Sequence, residues 1–181
     1  TLSKELNCGI YYEDMLYALI NEQLAEFSKH LDVVAKMYSE LGVPYLDISS
    51  NKRIQANKDN ADSIYSILSE RNFYTDELLE EKNRKELGLI VNIGANIEAL
   101  YIFCKDGETG KPGAIQKRLP EEKDILEEYE KDLGKFPANN DYADLLKEIT
   151  VLKTLILPKM SEEDVKKFSV ALYALRERIV K

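Results

Sequence analysis

This sequence predicts an all-α protein, an irregular multi-helix bundle around a central apolar helix at about residues 84–105 and closed by a carboxyl-terminal helical hairpin. Three observations carry that prediction. Apolar residues recur at intervals of three and four along most of the chain, the period of a helix with one face in a core. Glycine and proline number only 8 and 5 in 181 residues, few enough for long uninterrupted elements. No run alternates polar and apolar residues for long enough to argue for strands. A single domain over residues 1–181 is expected, long enough to bury a core without disulfide or metal staples. Its one candidate internal break is a loop at residues 106–118.

The first stripe, from Leu16, Ile20 and Leu24 through Phe27, Leu31 and Val34 to Tyr38 and Leu41, predicts one helix from about Tyr12 to Leu41. Gly42 and Pro44 follow it, a glycine stop and a proline that cannot continue the helix. Residues 45–51 read as a connection. Ile54, Ile64, Ile67 and Leu68 then mark one or two helices to about Asn72, with Asn60 or Asp62 as a cap. Thr75 before Asp76 and Glu77 places a hydroxyl and two anions at a further helix start, where free amides and the positive dipole end favour them. A short helix to about Lys82 is expected there, followed by the central one. "KDGETGKPGAIQ" next reads as an exposed loop. Pro120 starts an acidic amphipathic helix carrying Ile125, Leu126, Tyr129 and Leu133, and Gly134 and Pro137 end it. The first arm of the hairpin, near Tyr142 to Leu157, carries Leu145, Ile149, Leu152 and Ile156 and stops at Pro158. The second opens on "SEED", where Ser161 and Asp164 have capping-box spacing, and continues with Phe168, Leu172, Leu175 and Ile179.

A net charge of −8 opposes binding to nucleic acid or anionic lipid, because both need a basic surface to release counterions. The two cysteines, Cys8 and Cys104, lie far apart among apolar neighbours, the setting of buried free thiols, so a disulfide is not indicated. The sequence opens on Thr1, as a processed or trimmed chain would. The most apolar stretch, Leu89 to Cys104, falls short of the roughly 20 residues a membrane span needs and carries a carboxylate, so no span is expected.

Several reactive constellations fail on spacing or on residue count. "GETGKPG" has two residues between its first glycine and the Gly-Lys pair, where a phosphate loop needs four, and Pro112 stands where magnesium needs a hydroxyl. The one histidine, His30, cannot supply the two Glu-x-x-His motifs of a dimetal bundle and reads as a surface or boundary side chain. It is also the one imidazole on offer to a Cys or Ser nucleophile, and neither cysteine is tied to it locally. Zinc held by Cys and His is equally short of ligands. No catalytic residue, metal or cofactor is therefore assigned.

The polar residues of "ELGLIVNIGANIEALYIFC" hold the remaining information. At about 100° per residue, Asn92, Asn96 and Phe103 fall near one line of the central helix, and Gly94, Glu98 and Tyr101 near another. A single pocket holding all the polar groups is thereby disfavoured. A buried Glu98 must be protonated, paired with Lys or Arg, or bonded to hydroxyls. Gly94 leaves a notch one turn away that suits either a close helix crossing or a small ligand. Structural hydrogen bonds are expected of Asn92 and Asn96.

Three local patterns add a resemblance. In "LNCGIYYEDMLYA", Gly9, Tyr11, Asp14 and Tyr17 fit a Gly-x-Tyr-x-x-Asp-x-x-Tyr opening; "NADSIYSILS" fits an Asn-x-Asp-Ser helix start; and in "GANIEALY", Gly94, Glu98, Leu100 and Tyr101 fit Gly-x-x-x-Glu-x-Leu-Tyr. As a set, over roughly the first 105 residues, the chain resembles a family of helical, exported, lipoprotein-type proteins of Gram-negative bacteria for which no reaction is known. Cys8 stands where that family has an aliphatic residue and Asn96 where it has a tryptophan. The resemblance implies a helical bundle in the cell envelope or periplasm, with any lipid anchor upstream of Thr1. The expected role is non-enzymatic, binding or scaffolding a protein or small molecule. The alternative is a ligand site or enzyme built around Glu98, with Asp14, Tyr101 and Gly94 as neighbours grouped by the resemblance and by helix geometry. The long apolar stripes would also suit self-association as a homodimer.

Overall fold

The computed structural model describes residues 2–110, 112–137 and 140–181. Among these the chain is all-helical, with eight α-helices and no strand: α1 (Leu2–Ile20), α2 (Leu24–Glu40), α3 (Ile48–Ala56), α4 (Ala61–Glu81), α5 (Lys85–Thr109), α6 (Pro112–Leu133), α7 (Asn140–Leu155) and α8 (Glu162–Val180). The expected central helix is α5, and the expected hairpin is α7 packed on α8. Two compact units are formed, Ser3–Ala95 and Asn96–Lys181, and the division between them falls inside α5.

The first unit is built on α1 to α4 and the amino-terminal part of α5. Met15 and Leu19 of α1, Phe27 and Val34 of α2, and Ile64 and Leu68 of α4 are among the side chains that share its core. Tyr38 and Tyr45 belong to the same core and stack on each other at 4.7 Å. The Tyr45 hydroxyl donates to Asn72 Oδ1 at 3.2 Å and the Asn72 amide donates to the Tyr12 hydroxyl, so Asn72 of α4 joins the two phenols. α1 crosses α5 with almost no gap. A Cβ added at Gly94 would lie 2.1 Å from the Leu6 carbonyl oxygen, and one at Gly9 would lie 2.0 Å from that of Val91.

Where one helix from Tyr12 to Leu41 is expected, the chain forms two, separated at residues 21–23. Glu22 takes φ 57°, which lets the Gln23 N–H reach the Ala18 carbonyl and the Glu22 N–H reach that of Leu19, the paired bonds of a Schellman end. α4 and α5 are divided in the same way by Asn83 at φ 53°, and α2 is closed by Gly42 at φ 75°. Thr75 caps nothing. It sits buried inside the continuous α4 and donates to the Arg71 carbonyl at 2.8 Å. Nor are residues 45–51 all connection, because Asp47 accepts from the Ser50 N–H at 2.7 Å and starts α3. Asn60 caps α4 as expected, accepting from the Ser63 N–H at 2.9 Å.

The second unit holds the rest of α5 and α6 to α8. The expected loop over residues 106–118 is largely helix: α5 runs on to Thr109 and α6 begins at Pro112, while Lys111 lies outside the described residues. Gly107 supplies room rather than a turn, since a Cβ there would lie 1.9 Å from Ile115 Cδ1. Pro120, expected to start a helix, lies inside α6. Ile115, Leu119, Leu126 and Leu133 are all buried, and this stripe holds the helix together on both sides of the proline against a local penalty of about 3 kcal/mol. α8 opens on the expected capping box, Asp164 N–H to Ser161 Oγ at 3.2 Å and Ser161 N–H to Asp164 Oδ2 at 3.0 Å.

The segment Lys85–Glu108 of α5 is 24 residues long and by length and composition suits a bilayer crossing, with 50% of its apolar window buried inside the protein. It exceeds the 16 residues from Leu89 to Cys104 because polar residues at both ends extend the helix.

Candidate functional site

In the second unit α5 and α8 face each other through a ladder of charges and rings. Steps of three and four put Glu98, Tyr101, Lys105 and Glu108 on one face of α5, and Ser169, Tyr173 and Arg176 on one face of α8. Glu98 is buried at 1% exposure, and the Arg176 guanidinium grips both its oxygens, Nη2 donating to Oε1 at 2.9 Å and Nε donating to Oε2. That guanidinium lies 4.1 Å from the centre of the Tyr101 ring. Tyr101 meets Tyr173 edge to face at 5.1 Å, and Lys105 Nζ stands 4.1 Å from the Tyr173 ring centre. Glu108 ends the ladder, accepting from the Tyr173 hydroxyl at 2.8 Å and from Lys105 Nζ at 3.1 Å.

The bidentate pair sets what Glu98 can do. A carboxylate whose two oxygens already accept charge-assisted bonds is a poor base, and taking its partner away would strand a buried charge. Farther along the ladder, the Tyr173 hydroxyl bond and then Lys105 hold Glu108 below the usual carboxylate range. Burial, with Glu108 beside it, pushes the Tyr173 phenol up. Neither group is poised to exchange protons near neutral pH.

Of the residues singled out in the sequence, Glu98 and Tyr101 are brought together by Arg176. Gly94 belongs to the first unit, and its notch is filled by the Leu6 backbone where α1 crosses α5. Asp14 also belongs to the first unit, half-buried on α1. Asn92 is exposed, and the buried Oδ1 of Asn96 has no hydrogen-bond partner among the described residues, in contrast to the bond expected of it. His30 is a boundary side chain, 6.1 Å from the Tyr11 ring. Sequence reasoning missed Arg176, Tyr173, Lys105 and Glu108. The polar positions 169, 173 and 176 run beside the apolar stripe of α8 at the same spacing, and this was the available signal.

Where the ladder ends, α5, α6 and α8 enclose a cleft of about 440 Å³, within the range of small-molecule sites. Its floor is Cys104, Gly107, Ile115 and Ser169, all buried. Tyr173, Val165 and Gln116 are half-buried walls, and Glu108, Glu162, Lys166 and Val170 form an exposed rim. Burial pushes the Cys104 thiol up and the Ser169 hydroxyl pulls it only part of the way back, so the sulfur stays a protonated, weakly reactive thiol. Cys8, in the first unit, is pushed up to about 12 by burial alone, and both cysteines are free. Among the described residues no group of three or more His, Cys, Asp or Glu is arranged to hold a metal ion. The chain matches no protein-family model, no curated protein and no solved structure.

Proposed function

We propose that this chain is a non-enzymatic helical protein of the cell envelope that acts by binding or scaffolding a partner. One observation carries the non-enzymatic part. The acid most open to a chemical reading, Glu98, is spent on a bidentate bond that ties α5 to α8. The three patterns behind the family resemblance support the same reading through what they build. Gly9 and Gly94 make one helix crossing, and Asn60 caps α4, so these shared residues serve packing. The envelope location rests on that resemblance. The charge of −8 disfavours nucleic acid as the partner, and half-burial with an internal ion pair favours α5 as a core helix over a membrane span.

Urea unfolding of Glu98→Gln, Arg176→Gln and the double variant tests the role of the pair. As a fastener it makes each single substitution cost about 3 kcal/mol and the double far less than their sum, because the second change removes a charge already stranded by the first. A Glu98→Gln protein as stable as the parent would defeat the proposal and turn attention to Glu98 as a reagent. For the location, the product of the complete natural gene expressed in a Gram-negative host should fractionate with the envelope; recovery in the cytoplasm would overturn that part.

A further inference from the structure

We infer that the cleft between α5, α6 and α8 is a binding site for a single-chain amphiphile with a zwitterionic head. This names the ligand class for the binding role proposed above and rests on that reading. The interior offers a ligand few unmet polar atoms. Both oxygens of Glu108 are engaged, by Tyr173 and Lys105, and the Ser169 hydroxyl bears on Cys104 and Tyr173. What is left along the floor and walls is the side-chain amide of Gln116 and the apolar surface of Ile115, Val165, the Tyr173 ring and Gly107, continued outward by Val170, which is 62% exposed. Burying such surface favours a hydrocarbon body, and a large aliphatic side chain left bare at a cleft mouth is what such a body would cover.

The rim specifies the head. Glu162 and Lys166 lie one turn apart on α8 and both line the mouth, yet among the described residues neither forms an ion pair. Lys167 next to them is taken by Glu163 at 2.8 Å. Glu108 is neutralised by Lys105, so the mouth carries one unmatched charge of each sign. A head bearing one cation and one anion answers both, the anion against Lys166 and the cation against Glu162. A purely anionic head leaves Glu162 unmet and also works against the charge of −8 over the whole chain. A purely cationic head leaves Lys166 unmet.

Titration calorimetry on the intact chain with decyl chains below their micelle-forming concentrations tests this directly. Decylphosphocholine should bind about three- to fivefold more tightly than decanoate or decyltrimethylammonium, the value of one partly exposed ion pair, and about nine- to twenty-fivefold more tightly than decyl maltoside, which can make neither pair. N-decyl-N,N-dimethylglycine separates a phosphate-bearing head from a carboxylate-bearing one, and tight binding of either zwitterion supports the inference. Lys166→Ala should remove the preference for the zwitterion over the cation. Val170→Asp, at an exposed position that leaves the urea midpoint unchanged, should weaken every decyl probe about tenfold or more by placing a charge on the apolar wall. Equal affinity for all heads, no binding of any probe, or binding indifferent to Val170→Asp would each overturn the inference. None of these outcomes bears on the stability effect of Glu98→Gln, so the two proposals fail separately.

Discussion

Glu130 on α6 takes a hydrogen bond from the Thr150 hydroxyl at 2.6 Å and a second from Lys153 Nζ, both on α7. Burial pushes its carboxyl up, but the Lys153 and Thr150 bonds outweigh that and hold it below its ordinary value of 4.5. Because folding favours the ionised form, the stabilisation is fully present above pH 4.5 and drains away as pH falls through the lower folded value. Both side chains are about four-fifths covered, with 22% of Lys153 and 20% of Glu130 exposed, which places the pair above the exposed ones but still near 1 kcal/mol. Glu130→Gln should therefore lower stability by about 1 kcal/mol at pH 7, and the gap should close by pH 3. Urea midpoints at the two pH values measure it, and a gap of equal size at both would mean that the charge of Glu130 contributes nothing. The exposed Lys147–Asp144 pair, with both side chains at 75%, has no comparable claim.

The crossing of α1 and α5 makes a sharper demand at the scale of elements. The atoms that a Cβ would strike at Gly9 and Gly94 are backbone, the Val91 oxygen at 2.0 Å and the Leu6 oxygen at 2.1 Å, so no side chain can rotate out of the way. Gly94→Ala and Gly9→Ala should each cost about 1–3 kcal/mol despite the better helix propensity of alanine. The double variant should cost clearly less than the sum, because one spread of the helices accommodates both methyl groups. Denaturant unfolding of the four proteins closes the cycle, and strict additivity would show that the two sites do not share a crossing. The sequence marked Gly94 as a notch open to a helix crossing or to a small ligand, and the Leu6 backbone that fills it comes from another helix, which local pattern does not reveal. Helix ends were legible where glycine or proline marked them, at Gly42, Gly134 and Pro158, and the end of α4 near Lys82 was legible as well. Gly42, Glu22 and Asn83 close their helices with the same pair of backbone bonds, but a glutamate in the left-handed region carries no sequence signal, and the break at residue 22 was read through. Gly107 and Pro120 misled in the opposite sense, since packing against neighbouring helices put a close approach and a continuing helix where local rules place a loop and a start.

At the scale of the whole chain, Glu98 could be recognised as an acid in need of a partner, but Arg176 lies 78 residues later and only the path of α6 to α8 decides that the two meet. The cleft was illegible for the same reason, as its lining comes from three helices. The path of α5 has a further consequence. Its 25 residues form one continuous helix, yet the boundary between the two compact units falls at Ala95 and Asn96 in its middle. Unfolding one unit alone would require melting half of α5 at that point, leaving up to four carbonyls or four N–H groups without helical partners and exposing an apolar helix half that is marginal by itself. The two units should therefore open together. Hydrogen exchange gives the test: Glu98→Gln, in the second unit, should lower the protection of the slowest amides of α4 and α1 in the first unit by the same free energy as those of α8. If the loss of protection stops at Asn96, the shared helix does not couple the units, and each half of this chain folds on its own terms.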